Sequence, residues 1–219
     1  MPIAPVTLLL GPDSHDLVRA VLDEVGGRLT ELRPVTVSVQ PSGTAVVRYS
    51  ACVERGDRHV RETFVATAGS RIPAGVAVLE GTINGESVRV GVWRWPNDPA
   101  LPALRWAIDA EQLGRFLRAM GVDCQALPTV KVTGYRPGRR AVLQITSGES
   151  VLYCKVVRPT QVDTLRRRHE LLAPHVPVPP VVAAADDGLI VLPALPGDGV
   201  RAVLTDDGPL PDAAALEAL

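Results

Sequence analysis

Tyr135-Arg136-Pro137-Gly138-Arg139-Arg140, Ala141-Val142-Leu143-Gln144-Ile145 and Val151-Leu152-Tyr153-Cys154-Lys155-Val156-Val157 are the segments on which the fold turns. Pro-Gly supplies a tight turn, and the two apolar runs after it form strands that pair back on each other. A helix then carries Leu165, His169, Glu170 and Leu172. In the second strand a period of two sets Tyr153, Lys155 and Val157 on one face, with Cys154 and Val156 on the other. Lys155 is the unusual member. Only two of the chain's 23 Lys and Arg residues are lysines, Lys131 and Lys155. Basic surface positions here are filled by Arg, so a lysine inside an apolar strand needs a reason.

Two reasons are open. An ammonium on a strand beneath a turn, oriented by a carboxylate from the next helix, holds the first phosphates of a nucleotide in protein-kinase-type folds, and Lys155 and Glu170 stand in that order. Alternatively, a lysine on an edge strand discourages aggregation.

The composition bounds the answer. A chain of 219 residues, 46% hydrophobic, has room for one large or two ordinary domains with true cores, and reads as a soluble globular protein. From Arg136 to Glu170 there are eight basic residues against three acids, although the whole chain carries a formal charge of −1. A patch this small, without interleaved aromatics, suits a phosphate-bearing small molecule rather than a nucleic-acid track. Cys52, Cys124 and Cys154 lack disulfide or zinc spacing, which fits a reducing cytoplasm. No stretch approaches a membrane span, and the N-terminus lacks an export signal, so neither membrane nor nucleic acid is expected as a partner. His15, His59, His169 and His175 show no metal-ligand spacing.

Taken in order, Val6 to Leu10 is expected as a short strand, followed by a helix capped by Asp13 or Ser14 with Leu17, Val21 and Val25 on its face. From Val35 the period switches to two. Val35 to Val39, Ala45 to Val53 and His59 to Thr67 form an antiparallel meander, and Val76 to Leu79 with Val88 to Trp95 form a hairpin turned by Asn84-Gly85. A second helix spans Asp109 to Met120 with Leu113, Phe116, Leu117 and Met120 as its stripe. Trp93, Trp95 and Trp106 are expected to pack a hairpin onto a helix rather than to wall a ligand site. Strands at Val130 to Thr133, Arg140 to Ile145 and Val151 to Val157 lead into a helix from Gln161 to Leu172, with Thr160 and Asp163 as a capping pair. A hairpin of Val181 to Ala184 and Leu189 to Leu192 follows, then short helices at Val200 to Leu204 and Ala213 to Leu219.

An internal echo runs at an offset of 96 residues, laying Pro41 to Tyr49 over Pro137 to Ile145. Either the first half is a lysine-free relative of the second, with Ala66 or Thr67 where the lysine stands, or meanders with Pro-Gly turns simply look alike. Shared strand order is the test.

From Val130 to Leu219 the chain resembles the N-terminal lobe of the aminoglycoside phosphotransferase-like kinases. The resemblance rests on Tyr135 to Arg140, Tyr153-Cys154-Lys155-Val156-Val157-Arg158-Pro159, His169-Glu170-Leu171-Leu172, Val176-Pro177-Val178-Pro179 and Asp187 to Gly197. It implies an α+β fold: an antiparallel sheet with packed helices, followed by a kinase-type N-lobe of five antiparallel strands plus one helix. The implied domains are 1–122, cap-like, and 123–219, the lobe with its hinge; for the first part the likeness, to maltokinase-like enzymes, is architectural only. The resemblance assigns Lys155 to the phosphates of ATP and Glu170 to the ion pair that orients it. Arg136, Gly138, Arg139 and Arg140 become the turn over the phosphates. Ala194 or Leu195 becomes the adenine-facing donor, since Pro193 has no N–H.

Phosphoryl transfer in that fold also needs an Asp for the acceptor hydroxyl and an Asn and second Asp for magnesium. No His-x-Asp follows Leu195 and no asparagine follows Asn97. The expectation is therefore a nucleotide-binding portion of a small-molecule kinase, catalytically incomplete as given, whose magnesium ligands and acceptor site lie outside this chain. The face left bare by a missing lobe is expected to drive self-association. The alternatives are a non-catalytic ligand- or protein-binding module and a purely structural interaction domain.

Overall fold

A computed structural model describes residues 4–83, 85–124 and 126–197. The helices expected at Val200 to Leu204 and Ala213 to Leu219, and Asn84 of the expected turn, lie outside the described residues. The class is α+β. In chain order the elements are α1 (Pro5–Leu10), α2 (Ser14–Val25), β1 (Arg28–Val39), β2 (Ala45–Arg55), β3 (Arg58–Ala68), β4 (Ala77–Ile83), β5 (Glu86–Arg94), α3 (Leu104–Ala107), α4 (Ala110–Ala119), β6 (Thr129–Arg136), β7 (Arg140–Ser147), β8 (Ser150–Val157), a 3-10 turn (Pro159–Gln161), α5 (Val162–Leu172), β9 (Ala183–Ala185) and β10 (Leu189–Pro193). They build two five-stranded antiparallel sheets, ordered β1-β2-β3-β5-β4 and β6-β7-β8-β10-β9.

Each sheet covers one face with the helix pair that precedes it. In the first, Ala45, Val47, Tyr49, Ala51 and Val53 alternate inward on β2 and meet Leu8, Leu9, Val18 and Leu22 of α1 and α2. In the second, Ala141, Leu143 and Ile145 of β7 meet Leu104, Ala107, Leu113 and Leu117 of α3 and α4. That second core also takes in Val65 and Trp93 from the opposite face of the first sheet, so the two sheets share it.

The repeat passes its test, because helix pair, strand order and pairing register all coincide. Val46, Thr67, Gly91 and Val78 lie side by side across the first sheet as Val142, Lys155, Ile190 and Ala184 do across the second. The halves differ between their third and fourth strands. Residues 69–76 make that connection in the first, whereas 158–182, including α5, make it in the second.

Several expectations are corrected. Val6 to Leu10 is helical, not a strand: Pro5 presets the first helical turn, and the consecutive Leu8 and Leu9 are both buried against one layer, which strand alternation forbids. β1 begins at Arg28, seven residues before the valine run, paired from Glu54 onward. The stripe of α4 buries Leu113 and Leu117 but leaves Met120 exposed, and the helix packs under the second sheet rather than the first hairpin. Thr160 does not cap α5. Gln161 holds the cap position without a side-chain bond, and Asp163 pairs instead with Arg166 at 3.2 Å.

Candidate functional site

The β6–β7 hairpin presents Arg136 and Arg140 opposite one another across the ladder, with Arg139 at the tip. Gly138 sits at φ 68°, where a side chain would be strained, and Arg139 N donates to Arg136 O at 3.0 Å to close the turn. The hairpin is anchored from below by Asp98, which is 3% exposed. Its Oδ2 accepts from Gly138 N at 2.7 Å and from the Tyr135 hydroxyl at 2.8 Å, and its Oδ1 accepts from Ala100 N at 2.9 Å. Trp93 Nε1 donates to the Tyr135 oxygen at 3.3 Å, so the first sheet reaches the turn through a short polar chain. Burial, and then the Asp98 charge, hold the Tyr135 hydroxyl far above its ordinary titration range.

Lys155 stands on β8 between Val142 and Ile190, on the sheet face away from α3 and α4. It is half-buried, and desolvation, followed by the neighbouring Arg140 charge, lowers its pKa below the usual lysine value. Among the described residues no carboxylate lies within 4.0 Å of it.

The ion pair expected between Lys155 and Glu170 is not formed. α5 turns Val162 and Leu165 toward Ile190 and Leu192, and His169 shares a 2.9 Å hydrogen bond with Pro179 O. Glu170, one step further round the helix, faces solvent with Arg166 Nε at 3.9 Å.

Between the turn and the start of α5 lies an open cleft of about 710 Å³, lined by Arg136, Arg139, Arg140, Arg158 and Arg168 with Gln40 from the loop after β1. None of the five arginines has a carboxylate within 4.0 Å among the described residues. Arg158 Nε donates to Gly138 O at 2.9 Å, which ties the end of β8 to the turn. A wall of guanidinium forks with no acid among them suits a phosphate or polyphosphate, through bidentate charge-assisted bonds.

At the other end of β8, Ala194 N is already donated to Val151 O at 3.0 Å. The adenine-facing role therefore cannot fall to Ala194. Leu195 is half exposed and its N–H has no backbone acceptor among the described residues.

The tryptophans pack rather than wall a ligand site, but Trp93 and Trp95 meet Tyr135 of the second sheet instead of joining the hairpin to a helix. Trp95 meets Tyr135 edge-on at 4.5 Å, while Trp106 lies against Phe116 and donates to Asp187 Oδ2 at 2.6 Å. Two contributors escaped the sequence. Asp98 lies in Pro96-Asn97-Asp98-Pro99, which looks like an ordinary sheet-ending turn. Arg48 is one exposed-looking step of an alternating strand, yet its guanidinium is drawn in beside Tyr135. Arg158 and Arg168 did belong to the basic excess between Arg136 and Glu170, and that excess was the available signal. Among the described residues no helix is long and apolar enough to cross a membrane. No family model, no curated protein and no solved structure matches this chain.

Proposed function

We propose that the second unit is the nucleotide-binding part of an ATP-dependent small-molecule phosphotransferase of the aminoglycoside phosphotransferase-like kind. One observation carries the reading: a half-buried, carboxylate-free Lys155 on the sheet face away from α3 and α4, beside the part that α5 covers, with Arg140 as its neighbouring charge. In this reading Lys155 and the Arg136–Arg140 turn hold the phosphates of ATP, and Leu195 N–H meets the adenine. The residues present fit a polyanion. Neither the carboxylates for the magnesium that accompanies ATP nor an acid to orient the acceptor hydroxyl is assigned to any residue of the arginine cleft. Free thiols at Cys52, Cys124 and Cys154, the last with its pKa pushed up to about 12 by burial, are compatible with a reducing cytoplasm.

The position of Glu170 favours a second reading, a non-catalytic module that binds a ligand or protein, since the orienting ion pair of an active kinase lobe is not made. Titrating MgATP into the wild type and Lys155→Ala separates the two. Saturation at 100 times the dissociation constant stabilises the folded state by about 2.7 kcal/mol. The nucleotide reading expects that gain in the wild type and its loss in the variant; equal or absent responses favour the binding module.

A further inference from the structure

We infer a second anion site, centred on Arg48 in the pocket between the two sheets and sharing Arg136 and Arg140 with the turn of the nucleotide reading, and assign it to a small phosphoryl anion of the pyrophosphate class. The pocket has a volume of about 470 Å³ and is lined by Arg48 from β2 together with Thr133, Gly134, Tyr135, Arg136 and Arg140. Lys155 is not among its walls. The first sheet thus contributes a cation that the nucleotide reading leaves unused.

Three features point to an anion here. The Arg48 Nε is fully buried yet has no hydrogen-bond partner, an arrangement that a bound acceptor oxygen would satisfy. Arg136 and Arg140 face each other across the ladder, where like charges repel unless something negative lies between them. The remaining polar groups of the pocket are already committed. The Thr133 hydroxyl donates to Val142 O at 3.1 Å, and the Tyr135 hydroxyl donates to Asp98 at 2.8 Å. Three guanidinium groups are left facing the space, none with a carboxylate within 4.0 Å among the described residues. A phosphoryl group offers several acceptor oxygens and the charge to match. Such a ligand would join the two sheets, since Arg48 belongs to one and Arg136 and Arg140 to the other.

The test uses the full chain with sodium pyrophosphate as the probe against sodium chloride at matched ionic strength, read by calorimetry and melting temperature. The wild type, Arg48→Met, Arg48→Lys and Arg89→Met are compared. Pyrophosphate should raise the wild-type melting temperature beyond the chloride control. Arg48→Met should bind about tenfold or more weakly, and Arg48→Lys, which keeps charge and fold but loses the ε donor, should fall between. Without anion, Arg48→Met should melt no lower than the wild type, because it removes an unpartnered donor. Arg89→Met, which removes an exposed arginine of the first sheet that pairs with Glu80 at 2.9 Å and lines neither arginine pocket, should bind pyrophosphate as the wild type does. A wild-type response equal to chloride, equal affinity in the wild type and both Arg48 variants, or a loss in Arg89→Met as large as in Arg48→Met overturns the site.

Discussion

The first sheet carries Thr67 where the second carries Lys155, at the same place in the same pairing register. Thr67 is 2% exposed and donates to Ala45 O at 3.1 Å. The strand beside it has Gly91, where a Cβ would lie 2.5 Å from Ile72 and 3.0 Å from Val76, so the 69–76 connection presses directly on that face. In the second sheet the longer connection sends α5 across Ile190 and Leu192, and Lys155 remains half open. One scaffold thus offers two fates to one position. Where the short connection seals the face, the position becomes core, and where the connection grows a helix, a charged side chain can reach solvent or ligand. The length of a single crossover decides whether this face can be a site.

The sharpest way to break the comparison is to swap the residues. Thr67→Lys should destabilise the fold by about 4 kcal/mol, because it buries an unpaired ammonium against Ile72 and Val76. Lys155→Thr should leave stability almost unchanged, and denaturant unfolding of both variants checks the asymmetry. Next in size is Leu143→Ala, at a position that is 0% exposed beneath α3 and α4, with an expected cost of about 3 kcal/mol. Because Val65 and Trp93 share that core, calorimetry should still show one transition, and two separated transitions would show the repeats to be independent.

Asp98→Ala leaves Gly138 N and the Tyr135 hydroxyl without their acceptor, at a cost of about 2 kcal/mol. It should loosen the Arg136–Arg140 turn, seen as faster amide exchange at Gly138. The smallest effect is pH-dependent. The folded-state pKa of Lys155 is lowered, so between that value and its ordinary 10.5 the unfolded chain holds more protons than the folded one, and stability rises with pH. Relative to Lys155→Met, the wild type should gain stability across that alkaline window, by less than about 1 kcal/mol for so exposed a group. Melting curves of the pair across the window measure it.

Much of this organisation was legible in the residues. Alternating valines and Pro-Gly turns located the meanders, and the scarcity of lysine singled out Lys155. The offset of 96 residues hinted at a repeat that strand order bears out. What failed was whatever depends on distant partners. Val6 to Leu10 is an apolar run whose helical state is set by Pro5 and the sheet beneath it. The sheet that α4 covers cannot be read from a stripe of leucines. Glu170 follows Lys155 at a suitable spacing, but the rotation of α5 is fixed by Val162, Leu165 and His169, and these carry the carboxylate away. Arg48 and Asp98 matter only because the two units are packed together.

The two lysines of the chain allow the proposed site to be tested at one atom. Amine acylation followed by mass spectrometry reports Lys155 and Lys131 separately, with and without MgATP. If Lys155 and the turn arginines hold the phosphates, MgATP should slow acylation of Lys155 while Lys131 reacts at an unchanged rate. Equal rates at Lys155 with and without nucleotide would contradict it.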